Sequence, residues 1–381
     1  MIGAYNYVLF SGHVKFIRRN WEAYLEGMRF LYRLIDPDTD LLKVPGGEAA
    51  DWGQPGGKGF HTSAQALFYH TLVTGTKLAD WLSDIIDTAD HANEWQRTAG
   101  KVRAAMNQRH WDWVAGAFRN NLHPFPGVQV HPQDGNSLAV LFGLVDASLG
   151  RAQDISTTLT RNWTPIGPAC PELPGEVSTF ASSFEVQAHL VAGRARRALH
   201  LARASWGWYL GHENGTRSTA VEGYLVNGTF GYRWDQGYEG DASYTSHSHG
   251  WATGPVVALT ERVLGLAVVG LAGAQWRLEP QFADLTSCRG GFATPLGRFS
   301  AHWELRVDGR GYTVVHDTPR RTAGRLLLPA GPAGAQVRVR VDDAEFVPLD
   351  VVEGSGNRKL IALPGRGGKH RIEVTWDSSE A

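Results

Sequence analysis

Through the first 270 residues, apolar side chains recur at three- and four-residue steps. In 16–35 they are Phe16, Trp21, Tyr24, Leu25, Met28, Leu31 and Ile35, the spacing of an amphipathic helix, and Asp36-Pro37-Asp38 ends it. The opening run Met1-Ile2-Gly3-Ala4-Tyr5-Asn6-Tyr7-Val8-Leu9-Phe10 reads as the interior of another helix. Further helices are predicted at about 62–75, 78–86, 89–109, 136–149, 151–160, 180–191, 194–210 and 252–266. Thr62 or Ser63, and the Asp134-Gly135-Asn136 run, supply N-cap chemistry for two of them. Long connections rich in Gly, Pro and Trp lie between, at 44–61, 110–135, 161–179 and 211–250. Connections beyond about 12–15 residues are usually functional, and these carry aromatics and carboxylates. They are expected to form the binding side of a helical scaffold.

Near residue 270 the period changes from helical to two. Phe299-Ser300-Ala301-His302-Trp303-Glu304-Leu305-Arg306-Val307, Arg325-Leu326-Leu327-Leu328, Gln336-Val337-Arg338-Val339-Arg340-Val341 and Arg371-Ile372-Glu373-Val374-Thr375-Trp376 alternate between turn signals. Short strands at such spacing predict a β-sandwich. The expected architecture is mainly α plus β, a helical domain over 1–269 followed by a β-sandwich domain over 270–381.

Composition narrows the function. The chain has 381 residues, 43% hydrophobic and 20% charged, enough apolar material for a core. Thirty-seven basic against 38 acidic residues give a net charge of -1 with no basic stripe, which argues against nucleic acid. No stretch approaches the roughly 20 apolar residues needed to cross a bilayer, so no membrane partner is expected. Cys170 and Cys288 exclude a disulfide framework and leave one disulfide between them open. The 14 Trp shift the picture toward carbohydrate, because sugar C–H faces pack on indole while the hydroxyls seek carboxylates.

Several motifs drop out. Gly56-Gly57-Lys58-Gly59 lacks the Ser or Thr and the earlier Gly of a phosphate loop, and no G-x-S-x-G elbow occurs. His247-Ser248-His249 has no third ligand at a recognisable spacing, so neither metal nor cofactor is expected. The densest polar-aromatic segment is 206–255. Within it Glu222 precedes Gly223-Tyr224, a half-buried loop position where a carboxylate can take a proton from water or simply pair with a neighbour. Asp51-Trp52 suits a sugar subsite or a shaped turn, Asp134 and Asn136 suit a helix cap, and Glu185 reaches a cavity or an Arg from within a helix.

Taken in order, Ser205-Trp206-Gly207-Trp208-Tyr209, Glu222-Gly223-Tyr224, Gly228-Thr229-Phe230-Gly231-Tyr232-Arg233 and Ser246-His247-Ser248-His249-Gly250-Trp251 resemble the α-L-rhamnosidases of glycoside hydrolase family 78, in particular their fungal-type branch. Asp51-Trp52, Gln133-Asp134-Gly135-Asn136 and Ser182-Ser183-Phe184-Glu185 fit the same branch, and Trp276…Pro280 and Thr294-Pro295-Leu296-Gly297 resemble its C-terminal β-sandwich. The resemblance implies an (α/α)6 six-hairpin toroid with the site at one mouth, and inverting hydrolysis of terminal α-L-rhamnosides. It assigns Glu222 as general base. His249, Asp51 and Trp52 become sugar contacts, and Trp251, His247 and Tyr224 are expected beside them. The implied partner is a rhamnose-containing glycoside. Inversion requires the two carboxyl groups to stand about 6.5–9.5 Å apart.

The sequence departs from the family in two respects. The general-acid segment, of the type C-P-x-R-D-R followed by W-x-G-D, has no counterpart, and nine or ten helices are read where a toroid needs twelve. The expectation is that Met1 falls inside the toroid, making the toroid partial. Two other readings stay open: a toroid glycosidase of other sugar specificity, and a non-catalytic carbohydrate-binding remnant. Localisation is also open. No signal peptide is legible, while Asn162-Trp163-Thr164 (followed by Pro165), Asn214-Gly215-Thr216 and Asn227-Gly228-Thr229 are compatible with a secreted parent enzyme.

Overall fold

A computed structural model describes residues 1–46, 57–122, 130–146, 149–233, 237–345 and 350–377. Packing divides the chain into two units. One comprises Met1–Tyr5 and Val14–Pro255, the other Asn6–His13 and Val256–Ala381. Among the described residues no helix is long and apolar enough to cross a membrane.

The first unit is helical. Helices Val14–Arg19 and Trp21–Arg33 replace the single helix expected over 16–35. The break falls at Asn20, whose side-chain amide donates to the Phe16 carbonyl and competes with the helical ladder. Conversely, the two helices expected over 62–75 and 78–86 are one, Thr62–Leu82. Gly75 looks like a breaker in sequence, but here it is a point of close approach. A Cβ on it would stand 2.7 Å from the Met28 methyl and 3.0 Å from the Trp95 ring. Trp21, Tyr24 and Trp95 pack there as an aromatic cluster, with Trp21 and Tyr24 stacked at 5.6 Å.

Helices Ala89–Arg109, Gln133–Leu141, Arg151–Leu159, Thr179–Val191 and Ala195–Ala202 follow, the last running through a π-helical turn into Trp208–Gly211. Short connections (83–88, 142–150, 192–194) alternate with long ones. Short connections make antiparallel neighbours, so the long connections gather at the opposite helix ends. Between the helices lie two-stranded ladders that the helical periodicity could not reveal: Ile35–Asp36 with Leu41–Leu42, Trp111–Asp112 with Ala117–Phe118, Trp163–Thr164 with Gly167–Pro168, and Glu176–Ser178 with Gly223–Leu225, the last joining two connections.

The helix expected to begin after the Asp134–Asn136 cap begins instead at Gln133. Its first N–H groups are met from another connection. Glu172 accepts from Gln133 N (2.8 Å) and Asp134 N (2.9 Å), a carboxyl placed at the positive end of a helix. Asn136 lies inside the helix and ties it to Phe118 through both backbone groups of that residue.

Among the described residues, the second unit is built on a sheet of nine strands. Two 19-residue strands, Gly311–Pro329 and Arg358–Trp376, pair antiparallel along their length, with a register break between Thr318 and Ala323 where Pro319 interrupts the ladder. On one side of the break they continue to Gly297–Leu305 and Val337–Val341; on the other, to Gln275–Leu278 and Asp350–Gly354. Trp276, Phe299, Trp303, Tyr312, Leu326, Ile361, Ile372 and Val374 are buried in its core. The sheet already includes Leu266–Val268, ahead of the change of period in the sequence. Cys170 and Cys288 are both free thiols, so the disulfide left open by the sequence is absent.

Candidate active site

The ladder Glu176–Ser178/Gly223–Leu225 delivers Glu222 to its place. Just before the strand, Thr179 at the start of its helix donates to the Val221 and Glu222 carbonyls, and the Trp251 indole N–H donates to the Glu222 carbonyl at 3.2 Å. From the facing segment, Glu222 N bonds the Ser246 carbonyl and His249 N bonds the Ala220 carbonyl. Five anchors of this kind leave the main chain around Glu222 little freedom.

The Glu222 side chain is buried, 2% exposed, deeper than the half-buried position read from sequence. Its carboxylate is held by named donors. The Tyr238 hydroxyl lies 2.8 Å from each oxygen, and Ser246 N donates to Oε2 at 3.1 Å. His249 Nδ1 stands 3.8 Å from Oε2, beyond a hydrogen bond but close enough to feel the charge. Burial and the bond to Glu222 push the Tyr238 phenol up to about 12, so it stays protonated and donates at any ordinary pH. The His249 ring lies 4.4 Å from the Trp251 ring, which is half-buried and packs on Phe180 and on the Cys170, Leu173, Ala181 and Tyr232 cluster. A buried carboxylate edged by an imidazole and an indole is chemically suited to polarise a water next to a sugar ring.

Gly223 shows why the sequence is glycine beside this carboxylate. A Cβ there would stand 2.4 Å from the Tyr232 ring, so the ring covers the strand only if residue 223 has no side chain.

The other expected site residues divide. His249 and Trp251 lie with Glu222. His247 is one step away: its Nδ1 meets the Tyr209 hydroxyl at 3.0 Å, its ring packs on Phe230, and burial lowers its basicity. Tyr224 departs from the expectation of sugar contact. It is fully buried, and its hydroxyl is engaged by Ser205 and the Ile166 carbonyl, because alternation along the strand turns it into the core. Asp51 and Trp52 lie outside the described residues. Glu185, undecided in sequence, is fully buried and bonded to Gln133, the Trp163 indole and His189, so it ties three elements together internally. Among the described residues, no group of three or more His, Cys, Asp or Glu is arranged to hold a metal ion.

Tyr238 and the Ser246 amide were not legible in the sequence. Tyr238 follows Gln236-Gly237 with no periodic context, and its contact with Glu222 depends on the path of a loop.

Residues 1–163 match the family model of the bacterial alpha-L-rhamnosidase six-hairpin glycosidase domain. No curated protein matches the chain in sequence. Among solved structures, the chain is similar to an alpha-L-rhamnosidase from Dictyoglumus thermophilum (17% identity, TM-score 0.64, 98% of this chain and 39% of that one). It is also similar to the Streptomyces avermitilis alpha-L-rhamnosidase complexed with L-rhamnose (18%, 0.66, 96% and 31%). A third similar structure is the alpha-L-rhamnosidase of Aspergillus terreus, a fungal one (17%, 0.62, 97% and 37%). The chain thus spans between about a third and two fifths of these enzymes' length. Residues 1–163 thus match the six-hairpin glycosidase domain of bacterial alpha-L-rhamnosidases, and nearly the whole chain has the fold seen in alpha-L-rhamnosidase structures.

Proposed function

We propose that the chain is an α-L-rhamnosidase-type glycoside hydrolase that cleaves terminal α-L-rhamnosides with inversion, Glu222 acting as general base. The observation that carries the reading is the buried Glu222 carboxylate, fixed by Tyr238 and Ser246 beside His249 and Trp251. The ordered resemblance to the rhamnosidases and the rhamnose bound in the Streptomyces avermitilis enzyme support the choice of sugar.

In this mechanism a water held by Glu222 attacks the anomeric carbon from the face opposite the aglycone. Glu222 takes the water's proton as the new C–O bond forms and the glycosidic C–O bond breaks, and the departing oxygen leaves with the bonding pair. Trp251 offers an apolar wall to the sugar, His249 and His247 offer polar contacts, and Asp51 and Trp52 are assigned to the same sugar. A carboxylate Oε1 that accepts one hydrogen bond retains a lone pair for the water.

Glu222→Gln keeps the size of the side chain and one of its two acceptor oxygens but cannot take the proton. With p-nitrophenyl α-L-rhamnoside, whose phenolate leaves without much protonation, the variant is expected to lose about 10²- to 10⁴-fold in kcat. It should still unfold at close to the wild-type temperature. Undiminished release by the variant, or equal release from p-nitrophenyl glycosides of unrelated sugars, would overturn the assignment.

A further inference from the structure

The bond between Tyr238 and Glu222 gives the segment that carries Tyr238 a task of its own. We infer that Tyr238 is a positioning residue for the base: its hydroxyl, bridging both oxygens of Glu222, holds the plane of the carboxylate that catalysis uses. The inference rests on the reading of Glu222 as general base and deepens it.

Three observations carry it. The hydroxyl is equidistant from the two oxygens, 2.8 Å each, a geometry that fixes the carboxylate against rotation about its terminal bond. Tyr238 is itself held in place. Its amide bonds the Arg233 carbonyl, its carbonyl accepts from Asp241 N, and its ring stacks on Tyr244 at 5.7 Å. Tyr244 is 65% exposed and keeps its place in the stack if only the Tyr238 hydroxyl is removed. The hydroxyl is therefore separable from the ring, and Tyr238→Phe deletes one donor while leaving the packing.

The direction of the effect follows from hydrogen bonding to the charged form. A donor on a carboxylate favours ionisation, and removing it makes the carboxyl harder to ionise. A general base works only when ionised, so the acid limb of the pH–rate profile moves to higher pH. The other groups facing Glu222 are His249 on the segment that follows Ser246, and Tyr232 over Gly223. Arg233 acts on Tyr238, and Glu176 and Cys170 act on Tyr232. All remain in the variant, so their influence is common to both proteins.

The test pairs kinetics with a readout that needs no turnover. In protein labelled with ¹³C at the Glu side-chain carboxyl, the Glu222 signal is identified by its absence from Glu222→Gln and titrated in wild type and in Tyr238→Phe. The expected result is a higher midpoint in Tyr238→Phe, with the acid limb of kcat/KM for p-nitrophenyl α-L-rhamnoside displaced by the same amount and KM changed little. An unmoved midpoint overturns the inference whatever the activity. A moved midpoint in a wild-type protein that releases no rhamnose overturns the hydrolase reading, and with it the catalytic task of Tyr238. A moved midpoint with an unmoved acid limb overturns the role of Tyr238 in positioning the base.

Discussion

At Glu222 the backbone is pinned by Thr179, Ser246 and Trp251, while the side chain is oriented by Tyr238. The residues that the sequence identified here were those whose local run carries their meaning. Glu222, His249 and Trp251 belong to an ordered series of short motifs. Tyr238 belongs to none, and its role follows from where its loop runs. Tyr224 marks the converse error: it stands two residues from Glu222 in the sequence and was grouped with the site, yet strand alternation buries it. The clearest prediction at this scale concerns Gly223. Gly223→Ala forces the Tyr232 ring off its place above the strand, so the variant should be about 1–3 kcal/mol less stable in urea unfolding. A variant as stable as wild type would show that the ring moves aside freely.

At the scale of elements, the helices were legible and their ends were not. Periodicity found the apolar stripes, but the joins depend on single side chains whose partners are distant in sequence. Asn20 splits one expected helix, and close packing at Gly75 allows another to run on. The start of Gln133–Leu141 is the fullest case. The residues that look like its cap lie inside it, and the real cap is Glu172, some forty residues downstream. Burial pushes the Glu172 carboxyl above the usual range, more than the two backbone N–H bonds pull it down.

A carboxyl raised in the folded state contributes stability that is full below its unfolded value of about 4.5 and is lost as pH rises through the folded value. Glu172→Gln keeps an acceptor for the helix and has no such titration. The melting temperature of Glu172→Gln minus that of wild type is therefore expected to grow more positive between about pH 4 and pH 7. A difference that stays flat or falls over that range would contradict the account.

At the scale of the molecule, the alternation of short and long connections is what turns a set of helices into a site. Long connections gathered at one set of helix ends bring 176–178, 222–225 and 246–251 together, although they are scattered along the chain. That much was legible from connection lengths. The second unit was legible from its change of period, because alternation with period two survives even where a strand runs for 19 residues. The two long strands themselves were not. The ladder tolerates Pro319 at a register break and resumes beyond it.

The central claim, that water attacks opposite the aglycone under the control of Glu222, fixes the configuration of the first sugar released. Proton NMR recorded during the first minutes of hydrolysis of p-nitrophenyl α-L-rhamnoside reads that configuration before mutarotation erases it. The account predicts that β-L-rhamnose appears first, with the α anomer following only as the solution equilibrates. Initial appearance of α-L-rhamnose would mean retention through a covalent or paired mechanism, and would contradict the assignment of Glu222 as the base for a single displacement.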